Sequence, residues 1–210
     1  MSGIQYTVRA QVVDIQRQMP NANGTFFVDT NVWYWITYPR ASEGDKPPLP
    51  YQTRYYPNFI KKILDSKGKL FRSDLSLSEL TSLIERTELD IFNYESNSDL
   101  GLKQFRHEHP EARNEVIDQI LISWYQIISM SGPISFTLDT SFTDAALKRF
   151  ETQSLDGYDL FIIESLIESG LPLNIITDDG DFCTIEEITL YTANKSVIEC
   201  AREQGKLVST

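Results

Sequence analysis

Short apolar runs alternate along the chain with segments in which apolar residues recur at helical spacing. The apolar runs predict five strands, at residues 25–29, 69–73, 133–138, 173–177 and 188–191. The periodic segments predict helices that begin at Pro57, Ser76 or Ser78, Pro110, Thr143, Asp159 and Ser196. Because strands alternate with helices, the pattern predicts an α/β fold with a parallel sheet and crossover connections.

Two polar segments interrupt this alternation. Residues 37–57 contain several prolines among polar and charged side chains, which is typical of a loop, and residues 87–109 are polar and mixed. We therefore expect a domain with two insertions and short flanking segments. The expected boundaries are an N-terminal extension at 1–24, a domain at 25–191 with insertions at about 37–57 and 87–109, and a C-terminal helix within 192–210.

The charge is distributed unevenly along the 210 residues. The net charge of −11 arises entirely in residues 106–210, whereas residues 1–105 carry 12 basic and 12 acidic side chains. Such an acidic total argues against a general nucleic-acid coat or a polybasic membrane binder. A basic strip at residues 54–72, interleaved with aromatic residues, favours either contact with single-stranded nucleic acid or a solvated helix face.

The remaining composition indicates a reducing compartment, and we expect a cytoplasmic protein that does not enter a membrane. Cys183 and Cys200 lack the spacing of a disulfide framework or a zinc site. The N-terminus does not resemble a signal peptide. The longest uncharged run, 119–138, is better explained by a buried helix followed by a strand than by a membrane span.

Acidic residues stand where predicted strands end. Asp29 and Asp179 follow two of the strands, and Asp159 begins the helix that leads to the second of them. Sites in parallel sheets form beyond the carboxyl ends of the strands. Converging carboxylates repel one another unless one is protonated or a divalent cation binds, and oxygen ligands without His or Cys favour Mg²⁺ or Mn²⁺.

Four motifs resemble those of PIN domains, a nuclease fold that includes the VapC-type toxins of toxin–antitoxin pairs. Residues 27–32 resemble the opening signature, and residues 76–80 resemble a second motif, a helix that carries a Glu. Residues 159–170 resemble the third, and residues 177–182 the strand-end fourth. The resemblance covers roughly residues 25–191 and implies a three-layer α/β/α sandwich whose central parallel sheet has four to five strands, with helical insertions.

The resemblance also implies site residues, cofactors and partners. The catalytic acids would be Asp29, Glu79, Asp159 and Asp179, which with Asp181 would bind one or two Mg²⁺ or Mn²⁺ ions. Thr30 and Thr177 would orient the acids or contact the substrate. The other candidate substrate-binding residues are Asn31 and, from the basic strip and not from the resemblance, Lys61, Lys62 and Arg72. The implied activity is endonucleolytic hydrolysis of single-stranded RNA to 5′-phosphate and 3′-hydroxyl ends. A homodimer and an antitoxin-like protein inhibitor are possible partners.

The chain departs from the family pattern at several positions. Position 163, usually small in the family, is Ile, and Glu164 adds an acid to the same helix. The two insertions make the chain longer than the compact toxins, and no family counterpart is found for residues 1–24. These differences concern the toxin role more than the acid set.

Several residues also have structural interpretations that stay open at this point. Asp29 could cap a helix, and Glu79 could form a capping box with Ser76. Either Asp156 or Asp159 could face the ion, while Asp178 is expected to be exposed. The alternative functions are a PIN-like module that binds RNA or protein without cleaving it, and a toxin. A phosphoacceptor receiver or an aspartate-nucleophile phosphatase is disfavoured because the strand-end acids are not paired as those sites require.

Overall fold

Six parallel strands form one sheet in the computed structural model, which describes residues 4–208. Their order across the sheet is β1-β6-β5-β2-β3-β4. The strands are β1 Gln11–Asp14, β2 Thr25–Val28, β3 Lys69–Arg72, β4 Ser131–Pro133, β5 Asn174–Ile176 and β6 Thr189–Thr192. The predicted α/β class with a parallel sheet is confirmed, and the sheet has one strand more than the four to five expected.

Helices cover both faces of the sheet, which gives three layers. One core cluster lies between the sheet and the first five helices, and a second lies between the sheet and the last three. The first group is α1 Thr30–Thr37, α2 Pro50–Asp65, α3 Ser76–Ser96, α4 Leu102–Glu108 and α5 Pro110–Met130. The second group is α6 Thr140–Phe150, α7 Gly157–Ser169 and α8 Lys195–Glu203.

The central strand β2 shows why the apolar runs are continuous. Phe26 and Val28 belong to the first core cluster, and Phe27 between them belongs to the second. Successive side chains of a strand point to opposite faces, so a strand covered by helices on both faces needs apolar residues at every position. All three are at most 1% exposed. The strand therefore holds Asp29, the next residue, at the centre of the sheet's carboxyl edge.

The predicted N-terminal extension contributes the additional strand. Within it, Val12 of β1 pairs with Leu190 of β6 and also bridges Leu207 near the end of the described chain. The apolar run of β1 is short and lies between polar residues, so the pattern did not predict it. Residues 1–3 of the predicted extension and residues 209–210 of the predicted C-terminal segment lie outside the described residues.

The predicted insertions contain more helix than expected. Helix α2 begins at Pro50, not at Pro57, because proline suits the first helical position and the Gln52 side chain accepts a hydrogen bond from Leu49 N at 2.6 Å. Pro57 then lies inside the helix, where the carbonyl that loses its partner belongs to the exposed Thr53. In the second insertion, α3 continues to Ser96 and α4 follows.

Other boundaries shift by a few residues. Strand β4 ends at Pro133, where a strand was predicted to begin, and α6 begins at Thr140 because Asp139 caps it through Phe142 N at 2.9 Å. Helix α8 begins one residue before the predicted Ser196. Among residues 4–208, no helix has the length and apolar character needed to cross a membrane.

Glu85 makes the fold sensitive to acid. It is 5% exposed, its carboxylate accepts hydrogen bonds from Arg106 of α4, and Arg113 Nη1 of α5 lies 3.2 Å from its Oε1. The hydrogen bonds from Arg106 lower the pKa of Glu85. Its contribution to stability is therefore present above the pKa of the unfolded chain and is lost as the pH falls.

We expect Glu85→Gln to reduce the free energy of unfolding by about 2 kcal/mol near neutral pH. The difference from the wild-type protein should shrink as the pH falls below about 4, where Glu85 becomes protonated. Urea unfolding at several pH values measures both effects. Glu95→Gln, on the exposed side of the same helix, is the matched control and should change little; an equal loss in both variants would contradict the role of Glu85.

Candidate functional site

The hydroxyl of Thr177 joins the ends of two neighbouring strands. Thr177 follows β5 and donates from Oγ1 to Asp29 Oδ2 at 2.8 Å, while Asp29 follows β2. The same oxygen accepts a hydrogen bond from Asp179 N at 2.9 Å. Asp29 Oδ1 also accepts from Thr30 N at 2.7 Å at the start of α1. Asp29, Thr30, Thr177 and Asp179 are therefore held together, as the sequence predicts.

Two helix starts bring further carboxylates to the same place. Asp156 caps α7 by accepting hydrogen bonds from Tyr158 N and Asp159 N at 2.8 and 3.0 Å. The Tyr158 hydroxyl donates to the carbonyl of Leu75, which precedes α3. This contact fastens the start of α7 beside the start of α3, which carries Glu79 in its first turn. Helix α7 thus begins at Gly157, not at the predicted Asp159, which lies within its first turn.

Burial and mutual repulsion raise the pKa values of these carboxyls. Burial first, and then the charge of Glu79, raise the pKa of Asp29 to about 7, against the opposing hydrogen bond from Thr177. Burial and the charge of Asp29 raise the pKa of Asp159 to about 9. Burial also raises the pKa values of Glu79 and Asp179. The groups interact strongly enough that they cannot all be ionised near neutral pH without added positive charge.

Asp181 lies at the edge of this group. Its backbone N–H donates to Asp179 Oδ1 at 2.8 Å, and its own side chain is exposed. Burial, followed by the charge of Asp156, raises its pKa as well. Asp181 therefore orients Asp179 through the backbone and adds a more accessible carboxylate. We call Asp29, Glu79, Asp156, Asp159, Asp179 and Asp181 the acid cluster.

The donor chemistry of the acid cluster fits a hard divalent cation. All of its donors are carboxylate oxygens, and the Thr30 hydroxyl is buried beside Glu79 without a well-formed hydrogen bond to any described residue. As placed, however, no three Asp, Glu, His or Cys side chains of residues 4–208 are grouped so that they could hold an ion. A cation would therefore be bound only after some of these side chains move.

The predicted basic residues of α2 lie away from the acid cluster. Lys61 is exposed and its Nζ lies 2.6 Å from Asp65 Oδ2, and the half-buried Lys62 is its neighbour in the helix. This end of α2 lies at the amino edge of the sheet, because Ser66 O accepts a hydrogen bond from Asn23 N shortly before β2. The structure does not bring Lys61 and Lys62 to the acids.

Arg72 and Asn31 differ in their accessibility. Arg72 ends β3, is 7% exposed, and donates from Nη1 to Ser131 O at 2.7 Å. Its guanidinium carbon lies 5.4 Å from the ring centre of Trp124. These contacts occupy Arg72 within the protein. Asn31, by contrast, is half-buried in the first turn of α1, next to Thr30, and lines an open pocket.

Asp178 is not the exposed turn residue that the sequence predicts. Its Oδ2 accepts hydrogen bonds from Tyr51 OH at 2.7 Å and Gln52 Nε2 at 2.6 Å, and its Oδ1 accepts from Tyr56 OH at 2.6 Å. Asn194 Nδ2 donates to its backbone carbonyl at 2.8 Å. Side chains from the first two turns of α2 thus hold Asp178 in place through hydrogen bonds, a contact that no local sequence pattern indicates.

Two further acidic residues, Asp156 and Glu164, differ in whether their contacts place them in the site. Asp156, for which the sequence left a choice with Asp159, belongs to the site together with it, since its charge raises the pKa values of both Glu79 and Asp159. Glu164, the additional acid of α7, pairs with Arg149 instead. Ile163, at the usually small position, is buried in the second core cluster.

Comparison with solved structures includes a distant likeness. The chain is similar to a chain of the VapBC2 complex from Rickettsia felis bound to a DNA fragment from its promoter, with 13% sequence identity and a TM-score of 0.46. The match covers 79% of this chain and 96% of the other. No protein-family model and no curated protein matches the sequence. The assignment of the site therefore depends on its own residues.

Substitution of Asp29 tests the repulsion within the acid cluster. A carboxyl whose pKa is raised on folding stabilises the protein fully below the unfolded pKa, and this contribution is lost as the pH rises toward about 7. In EDTA we expect Asp29→Asn to increase the free energy of unfolding by about 2 kcal/mol at about pH 8, and by much less at about pH 4. Urea denaturation measures this, with the exposed Asp118→Asn as control. A variant less stable than the wild type at the higher pH would refute the repulsion.

Substitution of Tyr56 tests the grip on Asp178. The Tyr56 hydroxyl is buried, donates to Asp178 and accepts from Ala193 N at 3.0 Å. We expect Tyr56→Phe to reduce the free energy of unfolding by about 2 kcal/mol, since it leaves buried polar groups without a partner. The adjacent Tyr55→Phe removes a hydroxyl with no hydrogen bond to the described residues and should change it by less than about 0.5 kcal/mol. Thermal and urea unfolding compare the two, and equal effects would contradict this role.

Proposed function

We propose that this protein is a metal-dependent endoribonuclease that hydrolyses phosphodiester bonds of single-stranded RNA. The observation that carries the proposal is the acid cluster at the carboxyl edge of a parallel sheet, whose carboxylates raise one another's pKa values. Within residues 4–208, no salt bridge joins Asp29, Glu79, Asp159 or Asp179 to a lysine or arginine. An external cation is the compensation that this arrangement lacks.

Asp29, Glu79, Asp159 and Asp179 would hold Mg²⁺ or Mn²⁺, with Asp181 at the accessible edge. Such an ion supplies a water of lowered pKa and stabilises negative charge on the phosphate and the leaving oxygen. The Thr177 hydroxyl orients Asp29 and the loop that carries Asp179, through hydrogen bonds of 2.8 and 2.9 Å. Asp159 keeps its proton near neutral pH in the metal-free protein, which limits the charge to be compensated. No covalent enzyme intermediate is required.

RNA as the substrate follows from the motif resemblance, and so do 5′-phosphate and 3′-hydroxyl products. The carboxyl edge adds physical support through Asn31, a half-buried amide beside the acids that can contact a substrate. The basic strip does not add the same support, since Lys61 and Lys62 lie at the other edge. The homodimer, the antitoxin-like inhibitor and the cytoplasmic location stay predictions.

A PIN-like module that binds RNA or a protein without cleaving it is the second candidate. The observation in its favour is that no three potential ligands of the described chain are grouped to hold an ion as they stand. The acid cluster would then have no catalytic role. The two candidates differ in their response to added metal, which a single assay can measure.

We expect purified protein to cleave a labelled single-stranded RNA in Mn²⁺ or Mg²⁺ and to lose this activity in EDTA. Asp29→Asn and Asp179→Asn should each reduce the cleavage rate by about 100-fold or more, because each removes a charged ligand. Asp118→Asn, at an exposed position of α5, is the matched control and should cleave like the wild type.

Cleavage at the wild-type rate in both site variants would refute the assignment of the acid cluster. RNA binding that persists in EDTA, with no cleavage at any Mn²⁺ concentration, would favour the module. Asn has the shape of Asp and keeps one of its two acceptor oxygens, so we expect the site variants to stay folded, with circular dichroism spectra that match that of the wild type. The comparison then reports on chemistry alone.

A further inference from the structure

A pocket beside the acid cluster has no role in the chemistry described so far. It has a volume of about 440 Å³ and lies between α1, α3 and residues 38–49, which we call the Pro-rich segment. We propose that this pocket binds the base of a nucleotide next to the bond that is cleaved. The inference rests on the proposed function, since it assigns part of the RNA to a named surface. The volume of the pocket is in the range of about 300–1,000 Å³ that is common for ligand sites.

The wall of the pocket is a built structure, because the Pro-rich segment is fixed to α3. Tyr38 OH and Arg40 Nη1 donate to the two carboxylate oxygens of Glu88 at 2.7 and 2.8 Å. Asp45 N donates to Asp90 Oδ2 at 3.1 Å. At Gly44, an added Cβ would lie only 3.1 Å from Thr87 Cγ2, so the segment approaches the helix closely.

The lining of the pocket contains no member of the acid cluster but includes residues that adjoin it. Asn31, which lines it, follows Thr30 in the first turn of α1, and Leu83 lies one helical turn after Glu79 in α3. Gln52, also in the lining, donates to Asp178 at 2.6 Å. A strand of RNA with its phosphate at the acids can therefore place the adjacent nucleotide in this pocket.

The lining combines surfaces for a flat ring with groups for its edges and phosphate. Trp35 is a half-buried aromatic ring, and Pro47, Pro48 and Leu83 supply apolar walls. Unpaired bases stack on such aromatic side chains and hydrogen-bond along their edges, here with Asn31. Arg86 is exposed at the rim and forms no salt bridge with any described residue, so it is free to contact a phosphate.

The lining of the pocket carries no net charge. Lys46 and Arg86 balance Asp45 and Asp90 within the lining, whereas the whole chain carries a net charge of −11. An RNA strand therefore meets less repulsion at this surface than the net charge of the whole chain would suggest.

Fluorescence anisotropy of a short labelled single-stranded RNA, measured in EDTA, tests the pocket without cleavage. We expect Trp35→Leu and Arg86→Ala each to weaken binding by roughly 10-fold, and Trp35→Phe to restore much of it because a ring remains. Arg86 is exposed, so its replacement leaves the fold intact even if Trp35→Leu unfolds the protein. Lys103→Ala, on the exposed face of α4, is the control for loss of one positive charge.

Cleavage by the same proteins in Mn²⁺ separates this inference from the proposed function. If the wild-type protein cleaves RNA, and Arg86→Ala and the folded Trp35 variants bind RNA as tightly as the wild type, the proposed base pocket is wrong and the proposed nuclease activity stands. Pocket-dependent binding without cleavage would support the pocket and overturn the nuclease. No binding of RNA to the wild type, or an equal loss in Lys103→Ala, would also overturn the pocket.

Discussion

The hydrogen bond from Thr177 to Asp29 is the contact on which the site depends. It joins two adjacent parallel strands where both end, and the same hydroxyl accepts from Asp179 N. A hydroxyl can donate to one carboxylate and accept from a backbone amide at once, which neither an ammonium nor a methyl group can do. Thr177 therefore fixes the spacing between two acids that repel each other, without neutralising either.

The rest of the structure holds this repulsive arrangement in place. The grip of α2 on Asp178 prevents the loop after β5 from moving away, although Asp178 itself belongs to no predicted site. At the opposite side, Tyr158 ties α7 to the residues before α3. Buried, hydrogen-bonded contacts outside the acid cluster thus offset the cost of repulsion inside it. Under the proposed function, a bound cation would relieve that cost.

The parts of this fold that depend on local pattern were predictable from sequence, and the parts that depend on distant partners were not. The residues next to one another in the sequence were enough to predict the apolar strand β2 and the helix α7 with its cap and terminal Gly. The position of Lys61 could not be predicted, because the edge of the sheet that it reaches depends on the direction of α2 across the sheet. Strand β1 could be identified only from its pairing with β6. From the sequence alone Glu88 resembles a surface residue, and only its hydrogen bonds from Tyr38 and Arg40 explain its burial.

The uneven charge of the chain acquires a structural meaning from these contacts. Asp156, Asp159, Asp179 and Asp181 from the acidic half meet Asp29 and Glu79 from the neutral half, so the site lies where the two halves join. The neutral half also forms the Pro-rich segment and the pocket beside the acids. Under the proposed function, negative charge is therefore concentrated where a cation would offset it, and it is lower in the pocket that a phosphate chain would approach. An acidic protein can accept a polyanion on these terms, because local charge at the contact surface, and not the total, sets the work of approach at physiological ionic strength.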